Sequence, residues 1–299
     1  MDDTAMKPEQ NTNSSFDNQG EAGAATWSSL IDTLVKVPPP KQVEGVYDYV
    51  DETTLSEGHH IEMSAQGHAV EEYYENEEKL CCHWDRISAD DLPSRMSHPK
   101  GVVLDLGCGT GTAGGAIRRA GAQVVGADLS LPCLLAARRR LDAVVRTDAA
   151  ALPFKDNSFD GLVARGALHH LHDPEAALKE AARVLKPGAP ALFLDPREFA
   201  WLEPIKDRLR HDDDSFSDDH HAYSPEEYQA LIAKSFVVEE CFTEHPLGIL
   251  FAAGLDLLPL PKMLPKRLVA RGLFEIDHRL NQTPLAQMGH LLVVRARRQ

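Results

Sequence analysis

The side chains best placed to do chemistry lie in the stretch Gly101–Gly115, GVVLDLGCGTGTAGG. Asp105 closes an apolar run of Val102, Val103 and Leu104, and Gly107, Gly109 and Gly111 follow at every second position. A short strand, a glycine turn and a helix start in this order build a ligand site at the carboxyl end of a strand. Glycine lets the backbone bend at positive φ and admits a ligand where a Cβ would stand. Two glycine registers overlap. Gly107, Gly109 and Gly111 form GxGxG, and Gly109, Gly111 and Gly114 form GxGxxG, the dinucleotide pattern. Asp105 weighs between them. A pyrophosphate at the turn would meet its negative charge, whereas a cationic ligand is drawn to it. Cys108, between two glycines that make backbone contacts, reads as a small residue of the ligand turn rather than as a catalytic thiol.

Other reactive residue types stand further along. Asp128 ends the apolar run VVGAD, and Asp148 opens the loop DAAALPF. Arg165–His172, RGALHHLH, carries His169, His170 and His172. An imidazole titrates near the working pH, so His169 or His170 is a candidate general base toward a hydroxyl or phenol. The competing reading has the pair shape the cofactor pocket or cap the next helix. His211–His221, HDDDSFSDDHH, has metal-like residue types but no spacing that gathers ligands on one helix face. It reads as a solvated loop, and no metal is expected.

Asp105-Leu-Gly-Cys-Gly-Thr-Gly111 resembles the first motif of the class I S-adenosylmethionine-dependent methyltransferases, of the type 11 kind. The resemblance runs on in order. Asp128 matches the acid that takes both ribose hydroxyls in that family, with Leu129 beside it. Asp148 matches the acid that meets the adenine amino group, and Ala149 supplies a backbone N–H to the ring. Arg165 and the histidines occupy the loop beside the methyl group. Arg183-Val-Leu-Lys-Pro-Gly188 matches the turn before strand five. The likeness covers about Lys100–Asp195. It implies S-adenosyl-L-methionine as cofactor, held by Asp105, Gly107, Cys108, Gly109, Gly111, Asp128, Leu129, Asp148, Ala149 and Arg165. It also implies a seven-stranded sheet whose last strand is antiparallel. Asp195-Pro196-Arg197 does not reproduce the Asn/Asp-Pro-Pro-Tyr/Phe motif of enzymes that methylate amino groups of nucleic acids. That motif stands after strand four, where this chain has Arg165-Gly-Ala-Leu.

The elements that position these residues alternate regularly from Lys100 onward. Strands are expected at Val102–Leu106, Gln123–Ala127, Ala143–Arg146, Phe159–Ala164 and Ala191–Asp195, with helices at about 112–120 and 131–141. Asp173-Pro174 reads as an N-cap and first helical residue. Alternation of this kind predicts an α/β fold, a Rossmann-like, mostly parallel sheet with helices on both faces. A helix from Ser224, strand six near Phe236–Phe242, a helical patch around Leu268–Leu280 and a final strand at HLLVVRA follow.

Residues 1–40 read as disordered chain or linker, with a short helical patch at Thr26–Val37 before Pro38-Pro39-Pro40. Residues 41–98 read as an N-terminal helical cover, including a helix from Ala69 to Ile87. Residues 99–299 form the main domain, with a cover insertion at about 196–289. Pro246–Leu264 is apolar enough for ordinary packing, a lid over an apolar substrate or contact with a membrane surface, but too short and proline-broken to span a bilayer.

The 299 residues carry a formal net charge of -15, which opposes binding to a phosphate backbone. Five cysteines without CxxC spacing suit a reducing compartment, and the polar N-terminus MDDTAMKPEQ has no apolar signal core. A cytoplasmic enzyme is expected, transferring methyl to the oxygen or carbon of a small molecule. An NAD-dependent oxidoreductase and a non-catalytic cofactor-binding protein are the alternatives.

Overall fold

The computed structural model describes residues 29–70, 75–97, 100–198, 222–248 and 265–299. Among the described residues nine strands form one sheet: β1 Lys41–Val43, β2 Val46–Asp48, β3 Val102–Leu106, β4 Gln123–Asp128, β5 Ala143–Arg146, β6 Gly161–Arg165, β7 Pro190–Pro196, β8 Phe236–Glu244 and β9 Leu291–Arg298. Their order is β1-β2-β5-β4-β3-β6-β7-β9-β8. In sheet order from β2 to β7 the strands pair parallel with one another, β1 runs antiparallel to β2, and β9 runs antiparallel to both β7 and β8. Chain order runs outward from β3 in one direction to β5, then resumes on the other side with β6 and β7. The crevice at the carboxyl ends of β3 and β6 is therefore the switch point where such sheets bind ligands.

The central strands are apolar along most of their length because helices cover both faces, with polar residues gathered at their ends. Leu104, Val125, Leu162 and Phe193 point into one core, and their chain neighbours Val103, Val124, Val163 and Leu192 into the other. That alternation is the period-two geometry of a strand. Each such side chain, fully buried, contributes about 1.5–3 kcal/mol.

Among the described residues the helices beside the sheet include α1 Glu57–Ala69, α2 Leu80–Ala89, α3 Leu92–Arg95, α4 Thr112–Arg119, α5 Leu131–Ala137, α6 Pro174–Val184, α7 Pro225–Ala233 and α8 Lys266–Leu280. Asp173 caps α6 by accepting the Ala176 N–H at 2.9 Å, with Pro174 opening the helix. Ser224 and Glu227 form a capping box at α7. The N-terminal cover and the late insertion meet where Leu80 and Trp84 of α2 pack with Ala270 and Phe274 of α8.

Three expectations need correction. The sheet gains two strands, because residues 41–48 form a hairpin beside β5 and not part of a helical cover. Its two turn residues, Glu44 and Gly45, both have positive φ, 46° and 85°. Such a turn matches strand twist, and Glu at its first position hides it from a reader looking for Asn-Gly. The helix placed at Ala69–Ile87 is two helices. The Glu78 N–H bonds the Asn76 side chain and the Lys79 N–H its carbonyl, so a turn interrupts the pattern before Leu80. The helical patch placed at Thr26–Val37 covers residues 29–34 of the described chain. Residues 211–221 and 249–264, read above as a solvated loop and as part of an apolar cover, lie outside the described residues.

Candidate active site

A cavity of about 480 Å³ opens at the switch point, lined from β3, β4, β5, β6 and β7 and covered by α1 and α2. Gly107, Gly109 and Gly111 all have positive φ, 63°, 50° and 78°. A Cβ on Gly107 would stand 2.5 Å from that of Ala167, whereas one on Gly109 would meet nothing within 4 Å. The turn is thus closed by packing at Gly107 and open toward the cavity at Gly109.

Asp105 is buried at the base of the turn, 1% exposed, and its Oδ2 accepts the Gly114 N–H at 2.8 Å. Burial pushes its carboxyl up to about 7, against the lowering effect of that hydrogen bond, and the charge of Asp128 adds to the rise. The helix that starts at Thr112 is therefore gripped by the acid that ends β3.

Asp128 accepts Gly109 N–H on Oδ2 and Ser130 N–H on Oδ1, each at 2.8 Å. Burial raises its pKa, and those two N–H groups oppose the rise. Asp148 accepts the Ala150 N–H at 2.9 Å. Asp128, Leu129, Asp148 and Ala149 all line the cavity, as do Asp105, Gly107, Cys108 and Gly109. Gly111 is set back, where a Cβ would touch Ala137 and Leu141 of the α5 region. Burial raises the Cys108 thiol well above its ordinary range, which suits a packed residue and not a thiolate nucleophile.

Arg165 lies on the cavity wall, but its guanidinium is turned to α2. It pairs with Asp85 at 2.8 Å and donates to Ser88 Oγ at 2.7 Å. It ties the end of β6 to the N-terminal cover.

The two adjacent histidines have different settings. His169 is 6% exposed and its Nδ1 bonds Oδ1 of Asp195, which ends β7 and is fully buried. Asp195 Oδ2 also accepts the Tyr228 hydroxyl at 2.6 Å. A carboxylate held from two sides fixes both the ring plane and the tautomer of its histidine. His170 instead approaches Gln66 of α1 at 3.3 Å, and its ring centroid lies 3.8 Å from that of His169. Both rings line the cavity.

Sequence reasoning missed His245, Gly248, His290 and Leu291, which line the other wall from the segments beside β8 and β9, next to Trp84 of α2. One signal for it was present. Ala270, Phe274 and Asp277 share the buried face of α8, and an acid within an apolar helical stripe needs a partner. That partner is His245, 2.7 Å away.

Residues 104–193 match the Methyltransferase domain family. The chain is 43% identical over 90 residues to a demethylmenaquinone methyltransferase of Corynebacterium kroppenstedtii, covering 30% of this chain and 39% of that protein. It is 39% identical over 107 residues to the protein of the same name from Renibacterium salmoninarum, 35% and 44% of the two chains. The chain thus spans less than half the length of these curated relatives. Among solved structures, one chain of the complex between the Haloferax volcanii Trm112 methyltransferase activator and a methyltransferase aligns with TM-score 0.54 and 22% identity, over 79% of this chain and 96% of that one. An S-adenosylmethionine-dependent methyltransferase of Thermotoga maritima aligns with TM-score 0.53 and 20% identity, over 79% and 99%. These structural likenesses concern the fold.

Proposed function

We propose that this chain, a class I S-adenosylmethionine-dependent methyltransferase by its fold and by the domain at residues 104–193, transfers a methyl group to the oxygen or carbon of a small-molecule acceptor. The observation that carries the reading is the convergence of the glycine turn, Asp128, Asp148 and the His169–Asp195 pair on one cavity. The residues present fit the cofactor. Gly109 leaves open space where a Cβ would project, and the carboxyl groups of Asp128 and Asp148 give the wall the sign that a cation prefers.

When bound, the cofactor supplies an electrophilic methyl group on a positively charged sulfur. Asp128 is the residue to hold the ribose hydroxyls, since its oxygens accept from two vicinal donors. Asp148 and Ala149 are the residues for the adenine edge. The turn from Gly107 to Gly111 lets the backbone close on the ligand. His169 is the residue to take the proton of an acceptor hydroxyl at Nε2, because Asp195 engages Nδ1. The cover helices α1 and α2 keep water from the cavity and hold the reactants together, which is the main contribution an enzyme makes to such a displacement. The relatives named above support a small-molecule acceptor and carbon as a methylation site. Among the described residues no helix is long and apolar enough to cross a membrane.

The test is transfer of labelled methyl from S-adenosylmethionine to a metabolite extract, which reports catalysis and isolates the acceptor together. A labelled small molecule is the expected product. Label in protein or nucleic acid alone would overturn the choice of acceptor.

A further inference from the structure

The strand order divides the cavity. Asp128 and Asp148 stand at the ends of β4 and β5, on one side of β3. Pro196 at the end of β7, and His290 and Leu291 at the start of β9, stand on the other side, with Trp84 of α2 and His245 after β8. If the first half takes the cofactor, the second half faces the acceptor.

His245 is held there with unusual firmness. Its φ is 61°, a left-handed conformation that is costly for a histidine. Its N–H donates to Asn281 Oδ1 at 2.8 Å, and its Nδ1 bonds Asp277 Oδ2 at 2.7 Å. The other oxygen of Asp277 accepts the Leu247 N–H at 2.7 Å. Asp277 is fully buried, so an acid inside the apolar face of α8 serves to grip this short segment. The ring of His245 meets Trp84 edge-on at 5.4 Å and Phe274 at 5.6 Å. A strained residue fixed through both its N–H and its ring on a cavity wall is placed, not merely packed.

The charges at this end sort acceptor classes. Asp85 pairs with Arg165, Asp277 with His245, and Glu244 with Arg95. Around His245 itself the charged and titratable neighbours are Asp277 on Nδ1, Glu244 Oε2 at 3.9 Å from Nε2, and His290. Burial, then the nearness of His245, lowers His290 to about 4, so it stands neutral at physiological pH. Every carboxylate near this wall thus has a partner among the described residues, and these residues offer an ammonium acceptor no free carboxylate. A flat ring, by contrast, extends the cluster of Trp84, His245 and Phe274.

We propose that this half of the cavity takes a planar ring bearing a hydroxyl, that His245 hydrogen-bonds the ring oxygen, and that Trp84 packs against the ring. Asp277 is the positioning residue, acting through His245. The inference rests on the methyl-transfer reading, because that reading assigns this half to the acceptor.

Titration of the full chain with 4-nitrophenol and with 4-nitroanisole tests it, the second probe keeping the ring and losing the O–H donor. The phenol binds about tenfold tighter, as a hydrogen bond to imidazole warrants, and its visible absorption band shifts on binding. His245→Asn, which tolerates a left-handed backbone, removes the difference between probes. Asp277→Asn narrows it, and Trp84→Leu weakens both probes alike. Equal affinities in the native chain, no binding of either probe, or a preference that survives in folded His245→Asn overturns the inference. The native comparison needs no variant, so a misfolded substitution does not remove the test. S-adenosylhomocysteine is titrated into the same samples. Its binding without a probe preference overturns this inference alone, whereas its failure to bind overturns the methyl-transfer reading beneath it.

Discussion

The carboxylate of Asp128 accepts the N–H of Gly109 at 2.8 Å, so the acid that ends β4 and the turn that follows β3 form one unit. The bond joins the ends of two neighbouring strands. It pins the open glycine of the turn and aims the carboxylate along the cavity wall. Asp128→Ala removes a charged acceptor for two hydroxyls and leaves two backbone donors without their partner. Affinity for S-adenosylmethionine falls by more than ~1 kcal/mol, as read by calorimetry. Unchanged affinity refutes the ribose contact.

Asp105 makes stability depend on pH in an unusual direction. Its carboxyl is raised from 3.8 to about 7 in the folded chain, by burial first and then by the charge of Asp128. Between those values the folded state holds a proton that the unfolded chain has released. Stability from this group is therefore present in acid and is lost as pH rises toward 7. Asp105→Asn is a neutral stand-in that still accepts the Gly114 N–H. Relative to the native chain its melting temperature gains as pH rises from about 4 to about 7. A difference that stays constant across that range contradicts the assignment.

His169 and His170 separate by their partners. His169→Gln removes the ring that Asp195 orients and lowers turnover by about a hundredfold, with cofactor affinity near native. His170→Gln, which loses a contact to Gln66, leaves turnover near native. Native turnover in both variants ends the general-base role.

Gly107→Ala tests the packing of the turn. The new Cβ would stand 2.5 Å from that of Ala167, at a backbone φ of 63°. Overpacking of this kind costs about 1–3 kcal/mol, seen as a lower melting temperature and denaturant midpoint. An unchanged midpoint means that the strand β6 loop carrying Ala167 moves freely, contrary to its close fit here.

The central sheet was legible because its strands are short apolar runs, each ended by an acid or a glycine turn, at regular spacing. Val102–Leu106 and Ala143–Arg146 stand where the pattern puts them. Asp105, Asp128 and Asp148 were legible for the same reason, since strand ends converge at a switch point. The hairpin at Lys41–Asp48 was not, because its strands are three residues long and its turn lacks Asn or Asp. The His169–Asp195 pair was half legible: both residues follow or end neighbouring strands, but only the register of β6 on β7 brings them together. His245, Asp277 and Trp84 were illegible as a group. They come from three distant segments, and no local period links a residue of α2 to one after β8. Arg165 was read as a cofactor residue from its loop; it lines the cavity, and the ties of its guanidinium to Asp85 and Ser88 of α2 had no signal in the sequence.

Calorimetric titration of the full chain with S-adenosylmethionine and, separately, with NAD addresses the choice of ligand on which everything above depends. Asp105 and Asp128 beside an open glycine turn predict saturable binding of S-adenosylmethionine at one site, weakened in Asp128→Ala, and no heat with NAD. Binding of NAD without binding of S-adenosylmethionine would contradict the account.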